Sequence, residues 1–121
     1  MALIALRGAA TVAGNESEAI LSATEELMRE VLARNGLGAD DLVSCIFTLT
    51  EDLNAEFPAV AARRMGLSSV PLLCSREIPV PGALPRVIRV LIHAYAPVGH
   101  RSQHVYLGEA VKLRLDLEGA Q

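Results

Sequence analysis

The chain has 121 residues, a formal net charge of −3, 51% apolar residues, 3% aromatics and no Trp. That length suits one hydrophobic core, so a single domain spanning 1–121 is expected, filled by Ala, Leu and Val rather than by large rings. The acidic balance gives no electrostatic case for nucleic acid, and no apolar run approaches the roughly 20 residues of a membrane helix.

The mean hydropathy of +0.34 in so short an aliphatic chain predicts that part of its surface is covered by copies of itself. Ten of the eleven basic residues are Arg. Arg forks match planar carboxylates, although GC-rich coding gives the same bias. Cys45 and Cys74 show no CxxC or zinc-type spacing, and the start of the chain lacks the charged region and cleavage site of a secretory leader. A cytoplasmic protein with reduced thiols is expected.

In chain order, residues 2–7 predict a strand ending at Arg7-Gly8, where Gly8 permits a sharp turn or close approach to a ligand. Asn15 offers an N-cap with Glu18 as its capping-box partner. Ile20, Thr24, Leu27, Val31 and Leu32 then recur at helical spacing, and Gly36 ends the helix as its left-handed C′ residue. This one long helix is expected to cover a sheet. Asp40 caps a single turn. Leu42 to Thr50 is a strand rich in β-branched residues. Pro58 opens a short helix that stops at Gly66, and Val70 to Cys74 form a short strand. Residues 78–85 hold three prolines and a glycine and predict a loop. Val87 to Ala94 is the central strand, 97–103 a loop, and 104–107 and 110–114 short extended pieces. Strands and helices mix without a βαβ rhythm, so the class is α+β, a mixed sheet packed against one long helix and short helical turns.

Cys74, Glu77 and Arg89 carry the most chemical information. Arg89 interrupts the apolar run Val87-Ile88-Arg89-Val90-Leu91-Ile92, which reads as a buried strand. A charge there is costly to desolvate unless paired, so Arg89 either pairs with Glu77 structurally or awaits an anionic ligand. Arg7, at a strand end beside a glycine, can aim its fork at a carboxylate or be solvated. Cys74 has no His near it in sequence and reads as an inert small hydrophobe rather than a nucleophile. His100 and His104 are four apart, but in a loop rather than on a helix face, which argues against a metal pair. His93 reads as a core or interface residue. Asp52 and Glu56 read as helix-start carboxylates. Arg63 is either solvated or turned to a ligand. The Tyr106 hydroxyl caps a carboxylate or meets an interface.

Together these segments resemble the monofunctional chorismate mutases of the AroH type. The likeness runs through Leu6-Arg7-Gly8-Ala9-Ala10-Thr11-Val12, Thr50-Glu51-Asp52-Leu53-Asn54-Ala55-Glu56-Phe57-Pro58-Ala59, Val70-Pro71-Leu72-Leu73-Cys74-Ser75-Arg76-Glu77, Leu84-Pro85-Arg86-Val87-Ile88-Arg89-Val90-Leu91 and His104-Val105-Tyr106-Leu107. The resemblance implies a homotrimeric pseudo-α/β-barrel with clefts between neighbouring subunits. It implies the Claisen rearrangement of chorismate to prephenate in phenylalanine and tyrosine synthesis, without metal or cofactor. It also implies Arg89 at the ether oxygen, Glu77 and Cys74 at the ring hydroxyl, and Arg7 and Tyr106 on a carboxylate. Phe57, Ala59 and Leu73 are then the apolar wall, with Arg63, Leu113 and Arg114 closing over the ligand. Val60 stands where the family usually carries Lys or Arg, and Leu115 where it carries proline. Two rivals of other classes are a trimeric carboxylate-binding module and a small trimeric imine deaminase of the Rid type. Glu77 argues against the first. The second would need its own imino-acid motif, which is not found.

Overall fold

The computed structural model describes residues 1–113. Five strands form one mixed sheet in the order β3-β2-β4-β1-β5: β1 Ala2–Thr11, β2 Leu42–Leu49, β3 Leu72–Arg76, β4 Val87–Ala96 and β5 Val105–Leu107. Helices α1 (Ser17–Asn35) and α2 (Pro58–Arg64) lie on one face. β4 is central, as its sequence predicts, antiparallel to both β1 and β2. β5 and β3 are parallel to their neighbours at the two edges.

The strand period of two sorts the side chains into layers. Leu6 of β1, Phe47 of β2 and Val90, Ile92 and Ala94 of β4 face the helices and join Leu27, Met28 and Val31 of α1 in the main core. A fully buried Leu, Ile or Phe contributes about 1.5–3 kcal/mol, so this layer holds the helices down. The alternate residues, among them Ala5, Arg7, Ile46, Thr48, Arg89 and Leu91, face away from the helices. At one end that second face is covered by Ala110, packed with Ala9 and Val87 and flanked by Leu113.

β1 does not stop at Gly8 but continues to Thr11. Gly8 is a packing glycine: a Cβ there would lie 3.1 Å from atoms of Leu27, Val31 and Val90. The residue that signals a turn in sequence instead lets α1 sit close on the sheet. Asn15 is not the α1 cap. Its side-chain oxygen accepts the Asn54 and Ala55 N–H groups at 2.9 and 3.0 Å, and Glu16 occupies the N-cap without a side-chain bond. The loop's two unpaired donors outcompete the helix end. Gly36 does end α1 with φ 63°, and Leu37 N–H reaches back to Leu32 O at 3.0 Å.

Asp41, rather than Asp40, closes the single 3₁₀ turn, accepting the Gly38 N–H at 2.8 Å. β3 begins at Leu72 because Pro71 cannot donate to a ladder; its carbonyl still accepts Cys45 N–H at 3.0 Å. Asp52 does not serve α2. Its carboxylate accepts the Arg86 N–H at 3.0 and 3.2 Å, holding Arg86 at φ 52° at the entrance to β4. Glu56 accepts the N–H of Phe57, the α2 N-cap, at 2.8 Å. Residues 110–113 are not extended: Gly108–Ala110 is a 3₁₀ turn and 111–113 are helical. The period-2 pattern of that piece is too short to overrule Gly108 (φ 60°) and the Glu109 N–H bond to Thr11 Oγ1.

Candidate active site

The helix-free face carries a hollow of about 290 Å³, lined by Arg7, Gly8 and Ala9 of β1, Ile46 and Thr48 of β2, Arg89, Val90 and Leu91 of β4, and Tyr106 of β5. Small-ligand sites begin near about 300 Å³. Strand register brings these residues together. Ala9 pairs with Arg89 and Arg7 with Leu91; Ala9 also lies beside Tyr106, and Thr48 pairs with Arg89. Gly8 and Ala9 keep the floor low, and Ile46 and Leu91 make part of it apolar.

Glu77 stands just past the end of β3 on the same face, its N–H fixed to Leu49 O at 2.8 Å. Its Oε1 lies 3.4 Å from Arg89 Nε, and its Oε2 accepts the Thr48 hydroxyl. The Arg89 side chain is 47% exposed and that of Glu77 20%. This corrects the expectation of a buried Arg89: the apolar run alternates, and the chain covers only one of its faces. A pair this exposed contributes at most about 1 kcal/mol, so structural neutralisation is a weak reason for a cation here. The closest approach of the pair is at Arg89 Nε, on the edge of the guanidinium.

Arg7 donates its backbone N–H to His104 Nδ1 at 3.0 Å. Partial burial, and then the Arg7 charge, hold the His104 imidazole below its usual pKa, which keeps Nδ1 an acceptor near neutral pH. His100 meets Asn35 Oδ1 at 3.1 Å and His93 meets Ser44 at 3.2 Å, so the three histidines have separate partners. Among the described residues no group of three or more His, Cys, Asp or Glu is placed to hold a metal ion.

The remaining sequence-predicted residues do not line the hollow. Cys74, a near neighbour of Glu77 in sequence, pairs with the buried Phe47 and leans on the main core, on the opposite side of the sheet from Arg89. Phe57 is 65% exposed, and Arg63 is exposed in the last turn of α2, whereas Leu73, 61% exposed, pairs with Ile46 on the hollow's side of the sheet. Ala59 is buried in the main core. Leu113 is half-buried beside Tyr106 at the covered end of the sheet. Arg114 lies outside the described residues. Thr48, Ile46 and Leu91 also line the hollow, without a place among the sequence-predicted site residues. Their signal was the alternation within β2 and β4, which a continuous apolar run obscures.

The fold and this cationic, apolar-floored hollow define a small α+β protein suited to a compact anionic molecule. The chain belongs to the chorismate mutase type I family, whose profile matches residues 3–117. It is 54% identical to the chorismate mutase AroH of Thermus thermophilus over 119 residues, covering 96% of this chain and 97% of that one. It is 37% identical to the chorismate mutase AroH of Bacillus subtilis strain 168, covering 97% and 94%. A solved chorismate mutase from Clostridium thermocellum superposes with a TM-score of 0.88 at 45% identity, over 90% of this chain and 98% of that chain.

Proposed function

We propose that this enzyme, a chorismate mutase, lowers the barrier from chorismate to prephenate by electrostatic stabilisation in a site completed by a neighbouring copy. The observation that carries the proposal is the convergence of Arg7, Thr48, Arg89 and Tyr106 on one hollow, with Glu77 on the edge of Arg89, in a chain of this family. The rearrangement is unimolecular and pericyclic. Its rate is raised by holding the compact conformer and by charge already aimed where charge develops. As the ether C–O bond breaks, negative charge grows on the enolpyruvyl oxygen, and the Arg89 guanidinium faces it. Glu77 accepts the ring hydroxyl and lies near the electron-poor ring. Arg7 and Tyr106 hold a substrate carboxylate.

Phe57, Arg63 and Cys74 reach this ligand from another subunit, because within one chain they belong to the helix side of the sheet, whereas Leu73 pairs with Ile46 and shares the hollow's face. A homotrimer with clefts between subunits supplies that second wall. Ala59, buried in the main core of one chain, presents little to a ligand. Leu113 and Arg114 close the cleft. The exposed apolar residues Leu3 and Tyr95, paired across β1 and β4, support association through the helix-free face. Val60 leaves the cleft mouth without the family's usual cation. No helix among the described residues is long and apolar enough to cross a membrane, and a cytoplasmic setting matches the two free thiols.

The test is loss of chorismate ultraviolet absorbance with purified protein, with prephenate identified by acid conversion to phenylpyruvate. Saturable turnover without added metal or cofactor is expected. Tight chorismate binding without turnover would assign the chain to a binding module instead.

A further inference from the structure

Glu77 and Arg89 stand on strands that are not neighbours, or just past one: β2 lies between β3 and β4. The β2 side chain bridging them is Thr48, which pairs with Ser75 on one side and with Arg89 on the other. We infer that Thr48 is a positioning residue that holds the Glu77 carboxylate by one oxygen, so that it cannot fold both oxygens onto Arg89. The inference rests on the chorismate mutase reading and deepens it.

A carboxylate beside a guanidinium favours a two-point fork, with each N···O at about 2.7–2.9 Å. Here the closest contact, Oε1 to Nε, is long at 3.4 Å. The other oxygen is taken by the Thr48 hydroxyl. The backbone at Glu77 is fixed by the Leu49 carbonyl, so the remaining freedom of the carboxylate is rotation about its own side-chain torsions. Thr48 blocks that rotation. Its own χ1 is stiff because it is β-branched, and it points from a strand paired on both sides. A bidentate Glu77 would neutralise the guanidinium from which the reaction draws its stabilisation. A singly held Glu77 leaves the terminal nitrogens of Arg89 for the ether oxygen and its own Oε1 edge for the ring hydroxyl.

The experiment compares Thr48→Val, which keeps the shape and removes the hydroxyl, with Thr48→Ser, which keeps the hydroxyl. Loss of a hydrogen bond to a charged group predicts a fall in kcat of about tenfold to a hundredfold for Thr48→Val, with little change in KM. Thr48→Ser should stay within about threefold of the parent on the same scale. A crystal structure of Thr48→Val should show Glu77 turned onto Arg89 with both oxygens. Parental kcat in Thr48→Val, equal damage in Thr48→Ser, or an unmoved Glu77 in the valine variant would each overturn the inference. If the parent itself fails to rearrange chorismate, the functional reading falls by that result, while the crystallographic comparison still decides the role of Thr48.

Discussion

Replacing Gly8 with Ala tests how tightly the site's floor is bound to the core. A Cβ at Gly8 would lie 3.1 Å from Leu27 Cδ1, Val31 Cγ2 and Val90 Cγ1. Carbon pairs settle at about 3.5–4.0 Å, so each neighbour must retreat by roughly half an ångström. Leu27 and Val31 are 0% exposed and Val90 3%, which leaves them little room. Two of the three contacts belong to α1 and the third to β4, so relief requires prising the helix off the sheet. Overpacking of this kind costs about 1–3 kcal/mol. Removing a glycine from the unfolded chain returns about 0.4–1 kcal/mol. The net expectation is a loss of about 1–2 kcal/mol, seen as a lower urea midpoint with an unchanged slope. Parent and variant are compared at one protein concentration, since association adds to apparent stability. Turnover should fall as well, because Arg7 and Ala9 flank the wedge and line the hollow. A midpoint equal to or above the parent's would mean that α1 and β4 accommodate the added carbon without cost.

Gly36→Ala should destabilise for a different reason. Nothing lies within 4 Å of the added carbon, but φ is 63°, and a left-handed Ala costs about 1–2 kcal/mol; an unchanged urea midpoint would contradict this. Burial pushes the Cys45 thiol up to about 11, so a thiol reagent at pH 8 should leave Cys45 untouched until the protein unfolds. Cys74→Ser should keep substantial turnover, and its complete loss in a folded protein would revive a nucleophilic role. His104 should titrate below 6.5 by proton NMR, since burial and then Arg7 disfavour its charged form. Its folded pKa lies below the unfolded value, so its contribution to stability is present above pH 6.5 and is lost as the pH falls through the folded pKa. Urea midpoints should therefore drop on acidification by less in His104→Ala than in the parent.

The elements legible in the sequence were those decided by local chemistry. Pro58 could only open a helix, Gly36 could only close one, and the α1 face followed from spacing. What failed depended on neighbours far along the chain. Gly8 and a turn glycine look alike until α1 lies across the strand. Asn15 looks like a cap until Asn54 and Ala55 bring it two donors. Arg89 looked buried because a one-sided strand whose second face is also apolar reads as continuous. Such a pattern suits a sheet whose other face waits for a second chain. Glu77 and Arg89 were legible as candidates because a charge in an apolar run needs a partner or a ligand, and the family resemblance gave them roles. Thr48 was not, because the eleven residues between Glu77 and Arg89 carry no information about the strand that lies between them in space.

A fixed cation at Arg89 is proposed to supply much of the rate. The most direct measurement is kcat for chorismate in Arg89→Ala, in protein shown to fold and assemble like the parent. Losing one transition-state donor predicts a fall of at least about 10²–10³. Near-normal turnover would contradict the claim.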